Sequence, residues 1–227
     1  MPQPAWTAAK RNPTVFIWMA AIFITCLIVA DLTGAMLFSF TLALPFGGTS
    51  VLLSAGIIPF PITFILTDLL NEFYGQSGAR FVTWLGFGML FLTYGLLWTA
   101  SQLPVDARTL ITKPVFLVIF NQYAGMFLAS MTAYLIGQLL DISVFHWFKS
   151  ITGNKMIWLR ATGSTVISQL FDSFIVTGIA FWGQMTLFDM LQLASGNYVW
   201  KFIVAVAITP LLYIGHALLN RYFVTKK

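Results

Sequence analysis

Residues 51–75 read VLLSAGIIPFPITFILTDLLNEFYG. From Val51 to Phe73 this run is about as long as a bilayer core requires, since crossing about 30 Å takes roughly 20 helical residues. A barrel strand would alternate polar and apolar residues over roughly ten positions, and this stretch is longer and does not alternate. In lipid every backbone polar group must be satisfied inside the protein, so an apolar, non-alternating run implies a helix. Pro59 and Pro61 each remove a donor and crowd the preceding turn. A kink or a broken helix is therefore expected there, which membranes tolerate mainly where the chain lines a cavity.

The rest of the chain repeats this pattern. Of its 227 residues 59% are hydrophobic and 8% are charged, with a mean hydropathy of +0.86. A soluble domain carries about 25% charged residues, so the solvent of this chain is lipid. Besides Val51–Phe73, which follows a Pro45–Gly47–Gly48 turn, five runs qualify as spans: Val15–Ser39, Phe81–Ala100, Val115–Leu140, Ala161–Gly183 and Tyr198–Leu219. The first is too long for the 7–15-residue core of a signal peptide. The expectation is an all-α integral membrane protein with six transmembrane helices. It forms one domain over residues 1–227, with residues 1–14 as a cytoplasmic N-terminal segment.

Cytoplasmic loops carry an excess of Lys and Arg. An inside N-terminus puts Lys10, Arg11, Arg80, Lys149, Lys155, Arg160, Arg221, Lys226 and Lys227 in the cytoplasm, against Arg108, Lys113 and Lys201 outside. Both termini are thus expected to be cytoplasmic. Thr63, Thr67, Leu69, Asn71 and Phe73 overlie Ser164, Ser168, Leu170, Asp172 and Phe174 at a shift of about a hundred residues. That match suggests two inverted three-helix repeats, a transporter architecture with its site at the repeat interface.

Charged groups within spans cost about 2.5–3.5 kcal/mol each on insertion scales, and they mark function by default. Asp68, Asn71 and Glu72 share a face at the end of the second span, extended by Thr63 and Thr67. On the fifth span Ser164, Ser168 and Asp172 recur every fourth residue, with Gln169 beside them. Asn121 and Gln122, and Gln138 and Asp141, are further candidates near the two ends of the fourth span. Asp31 lies in the second half of the first span. His146 reads as a loop residue and His216 as interfacial. With one cysteine, Cys26, and no Cys/His cluster, neither a metal site nor a disulfide is expected. No phosphate-binding Gly-rich loop or His-Glu-x-x-His motif occurs, so no catalytic residues and no cofactor are expected. The scattered basic residues do not form a nucleic-acid footprint.

Ionised carboxylates only accept hydrogen bonds, whereas amides both accept and donate. A cavity built from them suits a cation or a small polar ligand with a row of N–H donors, such as a purine-like base with an amidine edge. An anion fits less well, because no deep Arg or Lys is evident.

The stretch Phe60–Gly75, followed by Ala79 and Arg80, resembles the signature of the queuosine precursor transporters, also called the vitamin uptake transporter family. Gln138-Leu139-Leu140-Asp141, Trp158-Leu159-Arg160, Ser164-Thr165 and Ser168-Gln169-Leu170-Phe171-Asp172 are similar to that family's later motifs. The resemblance spans about residues 15–220. It implies import of the 7-deazaguanines preQ0 and preQ1, precursors of a modified tRNA base, across the bacterial inner membrane by a single multi-pass chain. It also implies that Asp68, Asn71, Glu72, Arg80, Arg160, Gln169 and Asp172 matter. Substrate contacts are expected from Asp68, Asn71, Glu72, Asn121, Gln122, Ser168, Gln169 and Asp172. Arg80, Arg160, Gln138 and Asp141 are expected in support, with Arg80 pairing Glu72 or Asp68. The partners are then a small 7-deazaguanine and the bilayer, with no direct nucleic acid and with scope for a homodimer, since Gly86 and Gly88 thin one face of the third span. The alternative is a substrate-capture subunit for a vitamin-like solute that depends on a separate ATPase.

Overall fold

Asn12 opens the first helix, α1 (Pro13–Thr33), with its side chain accepting from the Val15 N–H at 3.3 Å. A proline just inside a helix start loses no bond, because that N–H has no partner anyway. The fold is described here from a computed structural model that covers residues 12–34, 36–44, 47–106, 108–110, 112–120, 124–153, 156–180, 182–183 and 185–225.

The first span was expected to continue to Ser39, but α1 ends at Thr33. An antiparallel hairpin follows, β1 (Leu37–Leu44) and β2 (Gly47–Ser54), with Leu37 opposite Ser54 and Leu44 opposite Gly47. Hydropathy does not separate a short apolar strand from a helix, and pairing satisfies the inward-facing half of each strand's backbone groups. Ser54 ties the hairpin to the end of α1 by donating its hydroxyl to the Gly34 carbonyl at 2.6 Å. The approach is tight at Gly56, where a Cβ would stand 2.4 Å from the Ala30 carbonyl oxygen.

The long helix α2 (Phe60–Ser101) begins beyond the prolines. Pro59 occupies its cap and Pro61 its first turn, so neither kinks it. The break is at Gly75, with φ 70° and ψ −176°, a region that is essentially glycine-only. There the chain reverses. Gly56, before the first arm, lies against Ala30 and Gly34, whereas Tyr74 at its end donates to the Asn12 carbonyl at 3.1 Å. The second arm runs back alongside α1, from Phe81 near Phe16 to Tyr94 on Asp31. The expected second and third spans are thus two antiparallel arms of one element.

After α3 (Lys113–Phe120), α4 (Ala124–Thr152) extends three turns past the expected end at Leu140, and His146 is a helix residue rather than a loop one. Next come α5 (Ile157–Ala180), α6 (Leu187–Ala207) and α7 (Thr209–Thr225). α6 starts eleven residues before the expected sixth span. Thr186 caps it, accepting from the Asp189 N–H at 3.2 Å and donating to its carboxylate at 2.6 Å. α6 and α7 meet at a 44° bend, where Pro210 supplies no N–H to the ladder.

Among the described residues two helical stretches, Pro13–Thr33 and Ala55–Ser101, are long and apolar enough to cross a membrane, and the bent α6–α7 pair makes a third if it is one span. Bulky apolar side chains such as Trp18, Phe91, Trp98 and Trp147 point outward, as lipid-facing residues do. Inside, Phe16, Phe23, Leu70, Phe73, Val82 and Phe145 form the apolar core. Gly86 packs within the chain, where a Cβ would meet the Tyr134 hydroxyl at 2.7 Å and Leu27 at 3.0 Å, while Gly88 meets nothing. They do not form one thinned face. Beyond the helices, Arg108 bonds Asp106 through Nε at 2.9 Å and holds its carboxyl below the usual range.

Candidate functional site

Three elements bring polar side chains together: the first arm of α2, α4 and α5. On the arm, Thr63 and Thr67 spend their hydroxyls on the helix itself, donating to the Phe60 and Thr63 carbonyls at 2.9 Å. Asp68 and Asn71 are buried, Asn71 completely. Asp68 Oδ1 and both polar atoms of Asn71 have no hydrogen-bond partner among the described residues.

α4 contributes Gln138 and Asp141, three residues apart and so on one face. α5 answers with consecutive hydroxyls. Ser164, Ser168 and Thr165 donate to Asp141 Oδ1 at 2.9, 3.3 and 3.4 Å. Among the described residues Asp141 Oδ2 stays unmatched, as do Gln138 Oε1, Gln169 Oε1 and Ser173 Oγ. Leaving a buried polar atom unsatisfied costs about 1–3 kcal/mol, and native proteins keep such atoms few. Their concentration on three facing helices marks a place built to receive hydrogen bonds from something else. Among the described residues no Lys, Arg or His pairs with Asp68 or Asp141.

Cations flank this centre. One turn beyond Asp68, Glu72 accepts from Arg160 Nη2 at 2.8 Å and Lys149 Nζ at 3.0 Å, with His216 Nε2 at 3.9 Å. Arg160 is 1% exposed and also donates to the Gly153 carbonyl at 2.8 Å. These groups line a cleft of about 380 Å³ with Phe73, Ile157 and Asn220. One turn beyond Ser168 in the other direction, Asp172 pairs with Lys201 at 2.5 Å. Between the two, the cavity beside Asp68 measures about 10 Å³, room for about one water.

The structure therefore gathers Asp68, Asn71, Gln138, Asp141, Ser168 and Gln169, with Glu72 and Asp172 at the two ends. Asn121 and Gln122 lie outside the described residues. Arg80 is exposed and makes no ion pair among the described residues; Arg160 and Lys149 hold Glu72 in its place. The expectation that no deep cation exists is corrected by Arg160 and Lys201. The positive-inside count places Lys201 outside, on a sixth span that begins at Tyr198. With α6 beginning at Leu187 it lies fourteen residues in, about 21 Å along the axis. The Thr186–Asp189 cap was the sequence signal for that earlier start. Asp31 is a separate feature, receiving the hydroxyls of Tyr94 and Ser130 from two other elements.

Polar and ionisable groups gathered between membrane helices are what a solute transporter requires of its substrate pathway. A family model described as "Putative vitamin uptake transporter" matches residues 54–215, and the chain belongs to that family. It is 35% identical to the "Probable queuosine precursor transporter" of Bacillus subtilis (strain 168) over 169 residues, covering 74% of this chain and 72% of the relative. It is 27% identical to the "Queuosine precursor transporter" of Escherichia coli (strain K12) over 159 residues, 66% of each chain. A Haemophilus influenzae protein with the Bacillus relative's name matches at 27% over 155 residues, 66% of this chain and 63% of the relative. No solved structure matches. The chain is a membrane transporter of a small molecule, not an enzyme.

Proposed function

We propose that this protein imports the 7-deazaguanines preQ0 and preQ1 across the bacterial inner membrane. It would do so as a single multi-pass chain of six spans in two inverted halves, with both termini in the cytoplasm. The observation that carries the cargo reading is the set of buried, unmatched acceptors on Asp68, Asn71, Gln138, Asp141 and Gln169. A 7-deazaguanine offers the complement: an amidine edge of N–H donors for a carboxylate, a carbonyl for the Asn71 amide and a flat face for nearby rings. Asp172 and Glu72 stand at either end of this row. The names of the relatives supply the cargo class.

Orientation rests on the clustering of Lys149, Arg160, Arg80 and Arg221 toward the Gly75 end, with Arg108 and Lys113 beyond the other. In that orientation the Glu72 cleft faces the cytoplasm.

The test is uptake of labelled preQ1 into liposomes containing only this purified chain, with and without a proton gradient. Saturable uptake, blocked by excess preQ0, is expected. Binding without uptake would refute self-sufficient transport in favour of a capture subunit. Neither binding nor uptake by folded protein would refute the cargo.

A further inference from the structure

The Asp172–Lys201 pair is placed where cargo would meet it. Its side chains are 15% and 8% exposed, and it lies one turn from Ser168, whose hydroxyl reaches Asp141. The α4 backbone closes the opposite side, since a Cβ on Gly137 would touch Asp172 Cβ at 3.5 Å. The Lys201 ammonium also lies 4.7 Å from the centre of the Phe60 ring, within cation–π range.

A lysine inside a span persists where a partner compensates its charge. Arginine would grip a carboxylate through a rigid fork, whereas lysine is a point charge on a flexible stem. It therefore releases a partner readily. Ala205, one turn further along α6, lines the small cavity that Asp68 also lines. Lys201 and Ala205 share a face of α6, so a displaced ammonium stays on the side of the helix that faces Asp68, a carboxylate with no cation among the described residues.

We infer that Lys201 is the resident counter-ion of Asp172, displaced by a protonated primary amine on the cargo, so that this pair sets the preference between charged and uncharged cargo. The inference rests on the cargo reading above. The aminomethyl group of preQ1 reproduces what Lys201 presents to Asp172: one positive charge and a set of N–H donors beside the Phe60 ring. Uncharged preQ0 brings no replacement cation and leaves the pair closed. A competitor within the protein lowers the apparent affinity for cationic cargo by the fraction of time it occupies Asp172.

The experiment is calorimetric binding of preQ1 and of preQ0 to the full chain in nanodiscs, for wild type, Lys201→Met and Lys201→Arg. Lys201→Met removes the competitor and should raise the preQ1-to-preQ0 affinity ratio roughly tenfold. Lys201→Arg can hold Asp172 through two parallel bonds and should lower the ratio below wild type. A ratio that is unchanged or falls in Lys201→Met overturns the inference. If that variant does not fold, a ratio in Lys201→Arg at or above wild type overturns it equally. Wild type that binds neither compound defeats the cargo reading, and this inference with it, a result distinct from binding with an unchanged ratio.

Discussion

Replacing Glu72 by Gln tests whether the cleft is held together by its charges. Glu72 carries Arg160 on one oxygen at 2.8 Å and Lys149 on the other at 3.0 Å. Arg160 is 1% exposed and Lys149 27%, so only Lys149 can recover its hydration when the carboxylate is neutralised. Removing one partner of a buried pair costs about 3–5 kcal/mol, because the other charge is stranded. For a chain of this length each kcal/mol lowers Tm by about 2–4 °C, so Glu72→Gln should melt about 6–20 °C below wild type in detergent. Arg160→Met takes the buried charge away and leaves Glu72 with Lys149. It loses two charged hydrogen bonds, to Glu72 and to the Gly153 carbonyl, each worth about 1.5–3 kcal/mol, and should melt in the same range as Glu72→Gln. In the double variant no cation is stranded at full burial, so the two losses should fall short of additivity by about 0.5–3 kcal/mol. The readout is thermal unfolding of the four proteins by intrinsic fluorescence. Additive losses would refute the reasoning.

Three further outcomes follow from the geometry. Gly75→Ala should cost about 1–3 kcal/mol from backbone strain alone, since nothing lies within 4 Å of the added Cβ; Gly88→Ala, equally uncrowded but at ordinary helical angles, should not lower Tm. Asp141→Asn should fold with near-wild-type stability, because its amide oxygen can still accept and the Ser164 and Ser168 hydroxyls also reach the Ala161 and Thr165 carbonyls at 3.0 and 3.1 Å; liposome uptake should nonetheless fall at least about tenfold, the equivalent of one charged hydrogen bond to cargo. Asp172→Asn should insert but melt early because it strands Lys201, and adding Lys201→Met should restore Tm without restoring preQ1 uptake, so recovered preQ1 transport in the double variant would refute a cargo role for Asp172.

The sequence was most informative where one physical constraint dominated. Hydropathy located the apolar runs, and four-residue spacing put Asp68 with Glu72, and Ser164 with Ser168 and Asp172, on shared faces. It was least informative where two structures satisfy the same constraint. The Leu37–Ser54 stretch is apolar enough to form either a helix or a hairpin, and composition does not choose between them. The prolines at 59 and 61 suggested a break, yet at a helix start they cost nothing. The reversal fell instead at Gly75, because only a residue without Cβ takes its dihedral angles cheaply. Ion-pair partners were the hardest to read. Arg80 is close to Glu72 in sequence yet makes no ion pair with it among the described residues, whereas Arg160, eighty-eight positions away, meets it.

The distribution of charge narrows the cargo further than the residue types alone. Four carboxylates line the polar row: Glu72, Asp68, Asp141 and Asp172. Three cations accompany them, and all three sit at the ends, Arg160 and Lys149 on Glu72 and Lys201 on Asp172. The middle therefore holds Asp68 and Asp141 with hydroxyls and amides for company and no cation among the described residues. Buried charges are ordinarily paired. An anionic cargo would have to sit beside two carboxylates and would find the arginine and the lysines already engaged. A donor-rich neutral base gains hydrogen bonds in the same place, and a cationic one gains compensation of charge as well. The presence of deep Arg and Lys thus leaves the exclusion of anions intact, because what decides it is where the cations are held rather than whether they exist.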